Sequence, residues 1–190
     1  MSGKWRLVLT GIGNPEPQYA GTRHNVGLYM LELLRKRLGL QGRTYSPVTN
    51  TGGKVHYIED EHCTILRSDG QYMNLSGEQV CKVWARHAKY QARHVVIHDE
   101  LSVACGKVQL RAPSTSIRGH NGLRSLLKCS GGRVPFAKLA IGIGREPGSR
   151  SRDPASVSRW VLGALTPQEL QTLLTQSEPA AWRALTQYIS

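Results

Sequence analysis

The chain has 190 residues and carries 25 Lys and Arg against 13 Asp and Glu, a net charge of +12 with histidine neutral. That length buries a sizeable core in one domain and is too short for two full ones; no run of about 18 apolar residues offers a membrane span, and apolar periodicity along most of the chain excludes wholesale disorder. So basic a chain suits a polyanionic partner, RNA, DNA or an anionic membrane, and the lack of an amphipathic basic helix or a lipidation motif speaks against the membrane.

Residues 4–10 (KWRLVLT) read as a strand that stops at Gly11, and a Gly-, Asn- and Pro-rich loop follows to Gly27. Met30, Leu31, Leu34 and Leu38 recur at helical spacing and predict a helix over 28–38, ended by Gly39. Residues 41–53 read as a loop, and 54–58 with 63–67 as a hairpin around an acidic turn. A helix starts at Ser76 as its cap, with Val80, Val83, Trp84 and Ala88 on its apolar face. The β-branched run 94–97 (HVVI) predicts a buried central strand, and 107–111 and 138–143 two more. Leu123, Leu126 and Leu127 mark a helix after a turn at Gly119. Residues 147–154 read as a flexible Gly/Ser/Arg loop, and two helices close the chain, around Leu170–Leu174 and Ala181–Ile189. Strands alternating with helices give an α/β class: one domain over 1–190 with a mixed, largely parallel sheet flanked by helices on both faces.

Cys63, Cys81, Cys105 and Cys129 form no C-x-x-C and no zinc spacing. Reduced thiols are the expectation, and with them an intracellular compartment. No secretory signal is visible, and the first strand begins too early for a long transit peptide.

Four places gather chemistry. The loop GIGNPEPQYAGTRHNVG lacks both G-x-G-x-x-G and a Walker Lys, so it is no phosphate loop, yet it holds Asn14, Tyr19, Arg23, His24 and Asn25 just past a strand end. Asp99 and Glu100 follow the apolar run HVVI, where a carboxylate is well placed to orient an imidazole. His120 and Asn121 stand between glycines in RGHNG, and Asn74 precedes the Ser76 helix. Taken singly, each is explained as well by a turn, a cap or a local hydrogen bond.

In order, GIGNPEPQYAGTRHNVG, QYMNLSG, HDELSVACGKVQL with RGHNGLRS, and KLAIGIGREP resemble the motifs of the bacterial-type peptidyl-tRNA hydrolases, and SRWVLGALTPQE is a fainter fifth match. The resemblance spans nearly the whole chain. It implies a single twisted α/β domain, monomeric, without metal or organic cofactor. The implied activity is hydrolysis of the ester between an abandoned peptide and the terminal ribose of tRNA. The implied compartment is the cytoplasm or a mitochondrial matrix.

By resemblance, His24 takes the proton from water and Asp99 holds its ring. Asn14, Asn74 and Asn121 match the family's asparagines around the site; Asn74 and Asn121 grip the peptide, one amide helps the oxyanion, and Tyr19 and Met73 line the cleft. Amide carbonyls that satisfy a blocked substrate would desolvate the ammonium of an unblocked one. Cys105 lies in a motif at a position without a catalytic role.

The basic charge concentrates between Leu101 and Arg152, ten cations against the single acid Glu146, a net +9. Phosphate contacts of this kind position a nucleic acid without reading its sequence. Arg111 matches a family position that clamps a tRNA phosphate. Where a second clamping Arg is usual the chain has Ala140, so Lys138 or Arg118 is the expected substitute, with Lys107 sharing the grip. Ser102 replaces a usual Asp, and APSTSIR replaces a glycine-rich loop. A non-catalytic RNA-binding protein on the same scaffold, such as a splicing factor, and a ribosome-docking factor are the alternatives; neither needs His24, Asp99 and the three asparagines together.

Overall fold

A computed structural model describes residues 6–87, 91–148 and 153–190. Strand β1 (Arg6–Ile12) is buried at six of its seven positions, as a strand covered on both faces must be. It runs past the expected stop because Gly11 pairs with Arg67 on one side and Ile97 on the other. Lys4 and Trp5 lie outside the described residues.

A 3-10 turn (Arg23–Asn25) leads into α1 (Val26–Arg37), which starts two residues before the predicted helix. Its end is a Schellman cap: Gly39 adopts φ 73°, its N–H bonds the Lys36 carbonyl at 3.1 Å, and the Leu40 N–H bonds that of Arg35 at 3.1 Å. The expected loop after it contains a two-residue strand, β2 (Ser46–Pro47). The predicted hairpin is present as β3 (Val55–Glu59) and β4 (Cys63–Ser68), its turn held by Asp60 accepting the N–H groups of His62 and Cys63 at 2.8 Å each.

A second 3-10 turn (Met73–Leu75) precedes α2 (Ser76–His87), so Ser76 is the helix's first residue rather than its cap. Ala88, expected on this helix's apolar face, lies outside the described residues. The run HVVI is the middle of β5 (Ala92–Glu100). Then come β6 (Val108–Arg111), α3 (Asn121–Ser130) and β7 (Phe136–Gly142).

Of the loop expected over 147–154, residues 149–152 lie outside the described set, and at Pro154 a helix begins. This helix, α4 (Pro154–Leu162), has no counterpart in the sequence reading. Its signal was Asp-Pro: Asp153 caps it by accepting the Ser156 N–H at 2.9 Å, and Pro154 occupies the first turn. The closing helices are α5 (Pro167–Thr172) and α6 (Glu178–Ile189), joined through a π turn (Leu173–Ser177).

Among the described residues, seven strands form one sheet in the order β2-β3-β4-β1-β5-β7-β6. The central β4, β1, β5 and β7 are parallel, and β2, β3 and β6 join the edges antiparallel. This is the mixed, largely parallel α/β sheet that the sequence predicts. One face packs Leu9, Ile97 and Leu139 with residues of α1, α4 and α6. The other packs Val8 and Val96 with α2 and α3, around a fully buried Trp84 whose Nε1 donates to Thr10 Oγ1 at 3.2 Å. Among the described residues no helix is long and apolar enough to cross a membrane. The carboxyl ends of β1, β4 and β5 lie side by side, the position where open α/β sheets bind ligands.

Candidate active site

The start of α1 rests directly on two strand ends. A Cβ on Gly27 would stand 2.6 Å from the Ile97 carbonyl oxygen and 3.0 Å from that of Ile12. Only glycine permits this approach, and it brings the turn carrying His24 to the end of β5. There His24 Nδ1 lies 3.0 Å from both oxygens of the buried Asp99.

A second histidine reaches the same carboxylate. His120 Nε2 is 2.9 Å from Asp99 Oδ1, while its Nδ1 accepts the Leu123 N–H at 3.2 Å and caps α3. That backbone donor fixes the tautomer: the single proton of a neutral His120 sits on Nε2 and is donated to Asp99. Asp99 thus accepts from two imidazoles, and His24 is left with Nδ1–H toward Asp99 and an unprotonated Nε2 as its remaining nitrogen. This is the state of a general base.

The electrostatics follow from the same contacts. Burial works against a charged His24 ring, but the charge and hydrogen bond of Asp99 outweigh it and raise the pKa above the ordinary histidine value. Burial likewise opposes ionisation of Asp99, and the two histidines reverse this, holding it well below the usual carboxylate range. His98 packs edge-on against His120 with ring centroids 4.9 Å apart, and burial first, then His120, pushes its pKa down to about 3. Neutral His98 therefore puts no second cation beside Asp99.

His24, Asp99 and His120 bring their donor atoms within 4.8 Å of one another, the spacing of a metal site. The donor chemistry does not fit one. A metal on His120 Nε2 would drive the ring proton to Nδ1, against the Leu123 N–H. The cluster is built for hydrogen bonds.

These residues open into a cleft of about 650 Å³, lined by Asn14, Tyr19, His24, Met73, Asn74, Asp99, Arg118 and Asn121 among others. All seven residues expected at the chemistry and the peptide site therefore meet there. Asn14 Oδ1 accepts the Met73 N–H at 2.9 Å, which turns Nδ2 away from Met73 as the group left for a ligand. Tyr19 stacks edge-on with Tyr72 at 6.0 Å. Asn74 and Asn121 are exposed at the cleft wall, Asn121 as the first residue of α3.

The four cations expected at phosphate divide in two. Lys107 and Arg118 are exposed, and Arg118 also lines the cleft, with Nη1 3.4 Å from Ser102 Oγ. Arg111 and Lys138 are buried side by side in the register of β6 and β7. Arg111 pairs with Glu100 and donates to Gln109 Oε1 at 3.2 and 2.8 Å. Lys138 Nζ donates to three carbonyls, of Ala112 at 3.2 Å and of Pro113 and Thr115 at 2.6 Å. The expectation that these two grip a phosphate therefore meets side chains already engaged: Lys138 pins the APSTSIR loop, with all three ammonium donors in use. Ala140 is buried opposite Gln109. Arg150 and Arg152 lie outside the described residues.

A family model described as peptidyl-tRNA hydrolase matches residues 8–190. The chain belongs to the peptidyl-tRNA hydrolase family. It is 99% identical over 190 residues to a peptidyl-tRNA hydrolase of Saccharomyces cerevisiae (strain ATCC 204508 / S288c), covering 100% of both chains. It is 34% identical over 175 residues to a peptidyl-tRNA hydrolase of Mycolicibacterium vanbaalenii, covering 92% of this chain and 88% of that one. A crystal structure of the peptidyl-tRNA hydrolase of Acinetobacter baumannii superimposes with a TM-score of 0.68 at 27% identity, over 100% of this chain and 94% of that chain.

Within this family member, two residues at the site were not assigned a role by sequence reasoning. His120 was visible only as part of RGHNG; the signal for its capping role is its place three residues before Leu123. Asn25 follows His24 and is buried. Its Oδ1 accepts the Asn14 N–H at 2.8 Å and its Nδ2 donates to the Asn14 carbonyl at 3.1 Å, tying Asn14 to the turn of the base.

Proposed function

We propose that the chain hydrolyses the ester between a peptide carboxyl and the 3′-terminal ribose of tRNA, with His24 as general base. The observation that carries the reading is the His24–Asp99 pair at the cleft, Nδ1 fixed by the carboxylate and Nε2 left to take a proton. Water gives that proton to Nε2 as its oxygen attacks the ester carbonyl. The tetrahedral oxyanion collapses, the bond to the ribose oxygen breaks, and the imidazolium returns the proton to that oxygen. Asp99 stabilises the imidazolium meanwhile.

Asn14 Nδ2 is the donor for a substrate carbonyl or the oxyanion, since its Oδ1 is taken by Met73. This changes the argument for selectivity: at Asn14 a ligand meets an N–H, which welcomes a peptide carbonyl and repels the ammonium of an unblocked aminoacyl-tRNA. Asn14→Asp keeps the shape and the acceptor for Met73 but replaces the donor by an anion. We expect kcat to fall about 10- to 100-fold, the worth of a hydrogen bond to a charged group, with the circular dichroism spectrum unchanged; unaltered kcat would remove Asn14 from the reaction.

The tRNA partner is met through exposed cations, Arg118 and Lys107 first. Arg118→Gln is expected to raise KM with little change in kcat. It should also flatten the salt dependence by a slope of about 0.7 for a single-strand phosphate. Arg111→Gln breaks the buried pair with Glu100 and is expected to lower Tm instead. Salt-titrated kinetics of the two variants beside melting curves check both. One chain supplies the whole constellation, as a monomer requires, and four free cysteines suit the reducing cytosol or a mitochondrial matrix. The deciding experiment is release from N-acetylaminoacyl-tRNA beside unblocked aminoacyl-tRNA. The first should be cleaved and the second spared; no cleavage of the first overturns the reading.

A further inference from the structure

The closing motif SRWVLGALTPQE takes no part in the chemistry above, yet it meets the catalytic turn at one buried side chain, Arg23. The Arg23 guanidinium forks onto Glu169, Nε to Oε1 at 2.8 Å and Nη2 to Oε2 at 2.9 Å. Its carbon lies 3.7 Å above the Trp160 ring centroid. The main chains are joined beside it: the Arg23 N–H bonds the Gly163 carbonyl at 3.0 Å, the Leu165 N–H bonds that of Gly21 at 2.8 Å, and Thr22 bridges Ala164. A Cβ at Gly163 would stand 2.8 Å from Arg23 Nη1, so glycine makes room for the guanidinium.

Both partners are themselves fixed. Glu169 closes the capping box of α5, taking the Thr166 N–H at 2.7 Å. Trp160 Nε1 donates to the Gly144 carbonyl at 2.9 Å. Trp160 belongs to α4, whose Val157, Val161 and Leu162 form an apolar wall of the cleft. Of the nine residues of α4 only Val161 is buried, so packing alone holds this wall weakly. Arg23 itself does not line the cleft.

We propose that Arg23 is a positioning residue for substrate specificity: through Glu169 and Trp160 it fastens the α4 wall to the turn that carries His24. The fastened wall sets how well the cleft holds a bulky apolar side chain at the C-terminal residue of the peptide. This rests on the reading of the cleft as the peptidyl-ester site. A planar fork on both carboxylate oxygens and on an aromatic face is a role that lysine does not fill.

The experiment compares wild type, Arg23→Lys, Glu169→Gln and Leu162→Ala on two substrates, N-acetylphenylalanyl-tRNA and N-acetylglycyl-tRNA. In the two clasp variants KM for the phenylalanyl substrate is expected to rise about tenfold, the scale of a lost apolar contact. KM for the glycyl substrate should stay within about twofold, and kcat and the acid limb of the pH profile should not move. Leu162→Ala, which trims the wall and leaves the clasp intact, should show the same substrate split. Should Arg23→Lys fail to fold, Glu169→Gln reads the same contact. Equal KM changes on both substrates, a lowered Tm with unchanged kinetics, or a shifted acid limb with unchanged KM would each overturn the proposal. A wild type that cleaves neither substrate would overturn the reading of the site itself.

Discussion

His24→Ala is expected to lower kcat by about 10² to 10⁴, the usual worth of a positioned general base, while the affinity for tRNA stays near that of the wild type. Neither neighbouring histidine is poised to replace it. His120 carries its proton on Nε2 and uses Nδ1 to hold the Leu123 N–H, and His98 Nδ1 lies 2.7 Å from the Asp99 carbonyl oxygen, to which it donates. The fold should survive, because the His24 ring is at the cleft surface and is absent from both apolar cores. In the wild type, kcat/KM should fall on the acid side with a midpoint above the ordinary histidine pKa of about 6.5, since Asp99 raises that of His24. Single-turnover rates over a pH series, with a binding isotherm for deacylated tRNA, check this. Near-normal turnover in the variant, or an acid limb well below the ordinary histidine range, would remove His24 from the base's role.

How far the sequence reached depends on what kind of fact each feature is. The β-branched run at 94–97 and the hairpin at 54–67 were legible because burial on two faces and a tight turn leave local marks. The His24–Asp99 pair was legible as residue types in motifs. The helix α4 was passed over because Gly, Ser and Arg dominate the stretch before it, although Asp153–Pro154 announced it. The surroundings of the cations were not legible for a different reason. A count of charges gives no partners, and Arg111 and Lys138, facing each other in the β6–β7 register, are forced by burial to find carboxylate, amide and carbonyl oxygens within the protein. The role of His120 is a tautomer, decided by one backbone N–H, and no composition or spacing carries that.

Asp99→Asn shows what that tautomer does. The usual expectation is a loss smaller than that of His24→Ala, because an amide oxygen still accepts the His24 Nδ1–H. Here the oxygen is contested. His120 donates Nε2–H to Oδ1 at 2.9 Å, and its tautomer is held by Leu123, so the asparagine oxygen must stay on that side. Its NH2 then occupies the Oδ2 position, 3.0 Å from His24 Nδ1, and the oxygen, also 3.0 Å from that nitrogen, is shared with the His120 donor. The His24 Nδ1–H then faces a donor at one contact and an oxygen already used by His120 at the other, which favours the proton on Nε2, and a ring with that proton on Nε2 no longer accepts one from water. We therefore expect a loss in kcat of about 10³ to 10⁴, as large as that from removing the base. In the activity that remains, the acid limb should lie at lower pH than in the wild type, because the charge that raised the His24 pKa is gone. The argument has a direct check in the double variant Asp99→Asn/His120→Ser. Serine still caps α3, and the asparagine is free to turn its oxygen to His24. The double variant should then be faster than Asp99→Asn alone. If it is slower, His120 is not what fixes the amide, and the loss comes from the missing charge.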